Sequence, residues 1–247
     1  MTATLTDRTD AARTILHQPG IQLVAIDLRG TLLRTPRITA LLPELAAQGV
    51  PARLAHTVQA RFDEQLRGPL QKRGDVLDWT RFAASNMASA LATEWRPPLD
   101  VETVSSAFSD RYLSESRRLI EPESLQLATN VSAVRFAIIA DGPLKRESAV
   151  LASCFEGDKL PPLSSSECLG VNKLTSEFFV RLGERWGVPT ASIVVIGDRW
   201  DKDVAIPEKA GCHGVLVGDN GPADVAALDS LADLAPLLDE RDLSCPA

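Results

Sequence analysis

Four short apolar runs, each followed at once by a turn rich in Gly or Asp, constrain the fold of this chain more than any other feature. The first covers residues 22–27, reads Gln-Leu-Val-Ala-Ile-Asp, and leads into Arg29-Gly30-Thr31. An apolar run of strand length that ends at a tight turn is typical of a buried strand. Three further runs follow the same design, at residues 134–140, 192–196 and 213–217.

Helical segments separate the later runs. Residues 174–186 and 204–210 have apolar side chains at helical spacing. Strands that alternate with helices predict βαβ units, and therefore a parallel sheet of the α/β class.

The segment from 36 to 127 has a different character. It shows helical periodicity, Pro and Gly punctuation, and no convincing strand. We therefore predict an α/β core from residues 1–35 and 128–247, with four or five helices inserted at 36–127. The aromatic residues of the insert are expected in its core; they are Trp79, Phe82, Trp95, Phe108 and Tyr112. We expect frayed ends at residues 1–10 and 239–247.

Composition narrows the classes of partner. The chain has 247 residues, 45% of them hydrophobic and 24% charged, which is typical of a globular protein with a real core. Its net charge of −7 argues against nucleic-acid binding, which requires a basic surface. The longest apolar runs are far shorter than the ~20 residues of a membrane span. The four cysteines show no C-x-x-C spacing, and the N-terminus does not look like a signal peptide, so we expect reduced thiols in the cytoplasm.

Acidic side chains mark the ends of three predicted strands. They are Asp27, Asp141 and Asp198, the last followed by Asp203. Because ligands bind beyond the carboxyl ends of the strands in open parallel sheets, we predict the site there. Clustered carboxylates need a counter-cation, and the candidate is Lys173, which follows an apolar run that we expect to be a strand ending at residues 168–170. Asp141 has an alternative role as the cap of a helix that begins near Leu144.

The order of these motifs resembles the haloacid dehalogenase (HAD) superfamily. Residues 27–32 (Asp-Leu-Arg-Gly-Thr-Leu) match the family's D-x-D-G-T-L, and residues 138–142 (Ile-Ile-Ala-Asp-Gly) match its apolar strand that ends in Ser/Thr-Asn. Lys173 matches the family lysine, and residues 197–203 (Gly-Asp-Arg-Trp-Asp-Lys-Asp) match its G-D-x-x-x-x-D, with Gly211 in a following Ala-Gly. The resemblance implies a Rossmann-like core, with the inserted helices as a cap domain.

One departure from the family removes a catalytic group. In phosphatases of this family the first Asp attacks the substrate, and a second Asp two residues later acts as general acid and base. Here Arg29 holds the second position. Arginine does not release a proton near neutral pH, so that role is lost. Loss of a positioned acid/base typically costs ~10² to 10⁴ in rate.

A second departure affects phosphate binding. Ala140 stands where the family has a Ser/Thr hydroxyl, and Asp141 stands in place of Asn. A phosphoryl oxyanion would lose a donor and meet a carboxylate. Ordinary phosphomonoester hydrolysis is therefore not expected, although Asp27 can still be a nucleophile.

The resemblance leaves the metal undecided. It implies Mg²⁺ held by Asp27, the Arg29 carbonyl and Asp198, and all three oxygens are present. Replacing Asp by Arg29 also changes the charge of the site by as much as one Mg²⁺ ion, so the guanidinium could take over the role of the metal. We slightly favour a metal-free site.

Three functions remain open. A leaving group that departs as a stable anion, such as halide, sulfate or activated phosphate, needs no general acid. Asp27 would then act as a nucleophile and form an ester that water hydrolyses. Alternatively, Asp27 would act as a general base for ring closure to an aziridine- or epoxide-type product in a biosynthetic pathway. The third possibility is a non-catalytic HAD-like subunit or binding protein.

Roles follow for each candidate residue. Arg29 and Lys173 would hold the anion, Asp198 and Asp203 would orient Lys173 or hold the metal, and Asp141 and Gly142 would contact the substrate. We expect a small anionic metabolite as ligand, with no nucleic acid and no membrane. A homo-oligomer or a biosynthetic partner protein is compatible with the sequence.

Overall fold

The chain folds as two compact units. The computed structural model describes residues 5–34, 41–65, 76–95, 97–119, 134–155 and 160–238. The first unit, here called the core unit, comprises Met1–Arg34, Arg118–Asp141 and Phe155–Ala247. The second, the helical unit, comprises Thr35–Arg117 and Gly142–Cys154.

The described chain contains eight strands and nine α-helices, numbered in chain order. The strands are β1 (Leu23–Asp27), β2 (Leu33–Arg34), β3 (Arg117–Arg118), β4 (Arg135–Ala140), β5 (Leu163–Ser165), β6 (Ile193–Gly197), β7 (His213–Val217) and β8 (Ala227–Leu228). The helices are α1 (Leu5–Leu16), α2 (Leu42–Ala47), α3 (Ala52–Gln65), α4 (Val76–Leu91), α5 (Val101–Ser114), α6 (Leu144–Cys154), α7 (Ser166–Leu169), α8 (Ser176–Trp186) and α9 (Ala205–Lys209).

A six-stranded parallel sheet forms the centre of the core unit. Its strand order is β5-β4-β1-β6-β7-β8, so β1 lies between β4 and β6. Every residue of β1 and of β6 is buried. Parallel strands covered on both faces need such continuous apolar sequences, which explains why the runs show no polar alternation.

Helix α8 covers one face of this sheet. Its inward side chains, Phe178, Phe179 and Leu182, are 0% exposed and pack with residues of β1, β4 and β6. Apolar residues three and four apart give the helix this single buried face. The α/β fold class with a parallel Rossmann-like sheet is therefore confirmed.

The helical unit contains α2 to α6. Helix α5 begins at the Asp100 cap, whose carboxylate accepts a hydrogen bond from the Thr103 N–H at 3.0 Å. Three aromatic residues pack together in the core of the helical unit, with ring centroids 5.1 to 6.0 Å apart: Trp79, Phe108 and Tyr112. Phe82 was expected there as well, but it is 39% exposed, because Thr80 and Ala83 occupy the inner face of α4.

Two expectations about the core unit are wrong. Helix α1 occupies most of the stretch expected to be frayed, because Ala12 and Leu16 are fully buried and Arg8 Nε donates to the Val225 carbonyl at 3.0 Å. The strand expected to end at residues 168–170 is β5, which ends at Ser165. The Ser165 hydroxyl accepts a hydrogen bond from the Cys168 N–H at 3.3 Å and so caps the N-terminus of the short helix α7.

The domain boundaries stay a prediction. Residues 35–40 and 120–133 lie outside the described residues, as do 239–247. Within the described residues, α6 groups with the helical unit although it follows β4 in sequence. None of the described helices has the length and apolar composition that a membrane span requires. The described cysteines, at positions 154, 168 and 212, are free thiols.

A buried ion pair stabilises the start of α6. The Arg146 guanidinium donates to Glu147 Oε1 at 2.9 Å, and the two side chains are only 7% and 0% exposed. Arg146 also stacks on the Trp79 ring, with its Cζ atom 5.2 Å from the ring centroid. An added Cβ on Gly142 would lie 2.6 Å from the Glu147 Cδ atom, so the glycine makes room for this carboxylate.

We predict that Glu147→Ala lowers the free energy of unfolding by about 3 to 5 kcal/mol, because it leaves the Arg146 charge buried and unpaired. Glu177→Ala is the matched control, since Glu177 pairs with Arg181 on the exposed surface of α8. It should cost less than about 1 kcal/mol. Urea unfolding measures both variants, and equal costs would contradict the assignment.

Candidate active site

Asp27 lies at the carboxyl end of β1, in the middle of the sheet. Its side chain is nearly buried, with a residue exposure of 6%. The next residue continues the pairing, because the Leu28 N–H donates to the Ile139 carbonyl at 3.0 Å. The chain then turns at Gly30, which has a φ of +96°, a conformation that side chains disfavour. The backbone therefore fixes Asp27 in the position predicted for the reacting group.

Lys173 connects Asp27 to a second carboxylate. Its ammonium group donates to Asp27 Oδ1 and, at 2.6 Å, to Asp203 Oδ1. The lysine is 4% exposed. The structure thus places Lys173 as the cation of the carboxylate cluster.

The loop after β6 supplies Asp198 and Asp203. Residues Trp200–Val204 form a π-helical turn, a rare conformation that is common at functional sites. Asp203 Oδ2 accepts from the Arg199 N–H at 3.1 Å, which leaves Oδ1 for Lys173.

Two glycines give these carboxylates their space. A Cβ on Gly197 would collide with the carboxyl group of Asp203. A Cβ on Gly30 would lie 2.6 Å from the Asp198 Cγ atom. The glycines beside the acidic residues are therefore part of the site, because only a bare backbone allows this close approach.

Three carboxylates are arranged to bind a cation. Asp27, Asp198 and Asp203 each offer an oxygen, and these oxygens lie within 4.8 Å of one another. Asp198 Oδ1 is buried and has no hydrogen-bond partner. With Lys173 included, the ionised cluster keeps two negative charges in excess, the charge that one divalent cation would balance. Carboxylate oxygens are ligands that Mg²⁺ prefers, so these residues fit Mg²⁺.

Burial shifts the acidity of this cluster. Burial raises the pKa of Asp27 to about 7; Lys173 opposes this rise, and the negative charges of Asp203 and Asp198 add to it. Burial alone would lower the pKa of Lys173, but the charges of Asp27 and Asp203 outweigh it and raise that pKa. The pKa of Asp198 is raised, first by burial and then by Asp203. Lys173 therefore stays protonated at neutral pH.

Arg29 follows Asp27 in the turn, and its side chain is half-buried. Its predicted role as an anion holder stays a prediction. The expectation that its guanidinium takes the place of a metal also stays a prediction. The cation bound to Asp27 and Asp203 is Lys173.

Asp141 is exposed at the end of β4, and its Oδ1 accepts a hydrogen bond from the Ser166 hydroxyl at 2.8 Å. The same hydroxyl accepts from the Lys173 N–H at 3.0 Å. Gly142 is buried in the helical unit against Arg146 and Glu147, and its predicted contact with substrate stays a prediction.

Ser166 contacts two of the predicted site residues, Asp141 and Lys173, and was not predicted from the sequence. It is 4% exposed and lies directly after β5, the strand that was misplaced by several residues. The available signal was the tract Ser164-Ser165-Ser166, which follows the apolar residues 161–163 and ends seven residues before Lys173.

Comparisons with known proteins agree with this architecture. Residues 171–237 match a family described as HAD-hydrolase-like, a stretch that contains Lys173, Asp198 and Asp203. A search of curated proteins by sequence finds no significant match.

Several solved structures are similar. A haloacid dehalogenase-like family hydrolase from Xanthomonas campestris superposes with a TM-score of 0.63 at 17% identity, covering 92% of this chain and 95% of that chain. The L-2-haloacid dehalogenase from Xanthobacter autotrophicus with chloropropionic acid covalently bound has a TM-score of 0.56 at 16% identity, covering 88% and 98%. A HAD phosphatase from Thermococcus onnurineus has a TM-score of 0.55 at 20% identity, covering 88% and 98%. The similarity predicted from the motifs is confirmed.

We predict that Asp27→Asn stabilises the metal-free protein more at pH 8 than at pH 5. The folded-state pKa of Asp27 is raised, so the stability that depends on its proton is present at low pH and is lost as pH rises towards about 7. The variant should gain about 3 °C or more in Tm at pH 8. Thermal unfolding with a chelator present measures this; a gain that is equal at both pH values, or one shared by exposed Asp219→Asn, would contradict it.

We also predict that Mg²⁺ stabilises the wild-type protein and that Asp198→Asn abolishes this effect. At about 100 times its dissociation constant, a ligand contributes about 2.7 kcal/mol, which raises the Tm of a chain of this size by about 5 °C or more. Asp201→Asn is the matched control, since Asp201 lies in the same loop but pairs with Arg199 at the surface. An unchanged Mg²⁺ effect in Asp198→Asn would rule out this metal site.

Proposed function

We propose that this HAD-like protein is a hydrolase that displaces an anionic leaving group from a small metabolite, with Asp27 as the nucleophile. One observation carries the proposal: Asp27 is nearly buried at the end of the central strand, and the Lys173 ammonium contacts it beside the unpartnered oxygen of Asp198. The match of residues 171–237 to a HAD-hydrolase-like family supports hydrolysis in general.

Lys173 orients the Asp27 carboxylate for attack on the substrate. Its ammonium donates to Oδ1, and Asp203 holds that ammonium from the other side. A carboxylate fixed by a charge-assisted hydrogen bond is oriented, and Oδ2 remains as the attacking atom.

Arg29 determines which leaving groups are suitable. No acid stands at this position to protonate a departing oxygen, because a guanidinium keeps its protons. The leaving group must therefore be a stable anion, such as halide, sulfate or an activated phosphate. A guanidinium can bind such an oxyanion through two parallel hydrogen bonds.

The reaction has two steps. An Asp27 oxygen attacks the carbon that carries the leaving group; a C–O bond forms, and the old bond breaks as the anion departs with its electron pair. Water then attacks the carboxyl carbon of the resulting ester, the substrate alcohol is released, and one proton passes to solvent. When bound at Asp27 and Asp198, Mg²⁺ would supply positive charge that stabilises the anionic groups of the site.

A second function is favoured by the pKa of Asp27, which burial raises to about 7. A carboxylate with this pKa is suited to general-base catalysis near neutral pH. Asp27 would remove a proton from an amine or hydroxyl of the substrate, and internal attack would expel the anion and close an aziridine- or epoxide-type ring.

Heavy-oxygen labelling separates these functions. We predict that turnover of 2-chloropropionate, aminoethyl sulfate or another alkyl halide or sulfate in H₂¹⁸O places ¹⁸O in the Asp27 carboxylate, detected by peptide mass spectrometry. Asp27→Asn should lower the rate by about 10³-fold or more. Turnover that leaves Asp27 unlabelled and gives a cyclic product would establish ring closure instead. Rapid hydrolysis of simple sugar phosphates would contradict both functions.

A further inference from the structure

The hydroxyl of Ser166 holds the side chain of Asp141 in place. Ser166 is 4% exposed, and its Oγ atom has two polar partners. It accepts a hydrogen bond from the Lys173 backbone N–H at 3.0 Å and lies 2.8 Å from Asp141 Oδ1. A hydroxyl has a single proton, and here that proton is directed to the carboxylate.

Asp141 is therefore held as an acceptor. A carboxylate that accepts a hydrogen bond at Oδ1 is held in a fixed orientation. Asp141 is exposed, and the hydrogen bond from Ser166 uses Oδ1, which leaves Oδ2 for a ligand. Asp141 is not the counterpart of a neutral amide, because it can accept hydrogen bonds but cannot donate them.

Strand register puts this acceptor at the edge of the sheet that carries Asp27. Strands β1 and β4 are parallel neighbours, and Asp27 pairs with Ile139, so Asp141 lies two residues further along. Ala140, which lies between Ile139 and Asp141, has no hydrogen-bonding side chain. Position 140 therefore supplies no donor hydroxyl to a phosphoryl group, and position 141 supplies negative charge.

We propose that Asp141 and Ser166 form a binding site for an ammonium group of the substrate. This inference rests on the proposed function and narrows its substrate class from a small anionic metabolite to a zwitterion. The substrate would carry an amine near the carbon that bears the anionic leaving group. Asp141 accepts from the ammonium group, and Ser166 is the positioning residue that holds Asp141 in place.

The test compares two sulfates that differ only by an amine, 2-aminoethyl sulfate and ethyl sulfate. Calorimetric titration should show that the wild-type protein binds 2-aminoethyl sulfate about tenfold or more tightly than it binds ethyl sulfate. A charge-assisted hydrogen bond contributes that much to the affinity. Asp141→Asn should bind both sulfates equally and keep its affinity for ethyl sulfate. Equal affinities in the wild type, including no measurable binding of either compound, would overturn the proposal.

Two further variants separate recognition from general charge and from folding. Ser166→Ala should reduce the preference for the amine at least threefold, and an unchanged preference would overturn the positioning role. Glu184→Gln removes an exposed carboxylate on α8 and should keep the full preference. Because binding is measured rather than turnover, a preserved amine preference with no ¹⁸O in Asp27 would reject the nucleophile and retain this site.

Discussion

The site depends on the two ion pairs that the buried Lys173 ammonium forms with Asp27 and Asp203. The ammonium joins Asp27 on β1 to Asp203 after β6, carboxylates that come from distant parts of the chain. Two carboxylates this close repel each other, and burial makes the repulsion stronger. A single cation between them converts the repulsion into a fixed arrangement. Burial raises the pKa of Asp27 in spite of this cation, so the arrangement keeps a reactive group at the expense of stability.

Much of the fold could be predicted from the sequence, because burial on both faces of a parallel sheet leaves a distinctive pattern. The runs that became β1, β4, β6 and β7 each have one polar residue at or next to their start and are otherwise apolar, apart from Asp27 at the end of β1. The three-residue strand β5 and the two-residue strand β8 are too short for any such pattern. Their pairing depends on neighbouring strands rather than on their own residues.

The site was predictable only in part, for a similar reason. Charged side chains at strand ends were visible, and the parallel sheet required them to meet at one edge, so Asp27, Lys173, Asp198 and Asp203 were identified. Ser166 was missed because its importance comes from two contacts made across the fold. The exposed position of Phe82 had a different cause, since helical spacing alone does not say which neighbours fill the inner face.

The close packing of Asp198 on Gly30, and of Asp203 on Gly197, has a consequence for how such a protein changes over generations. These acidic groups are seated against the main chain of the two glycines, so any side chain at position 30 or 197 would collide with a carboxyl group. A substitution at either glycine would therefore displace a carboxylate of the site as well as the loop itself. Inherited change at these two positions is restricted by the side chains that they face.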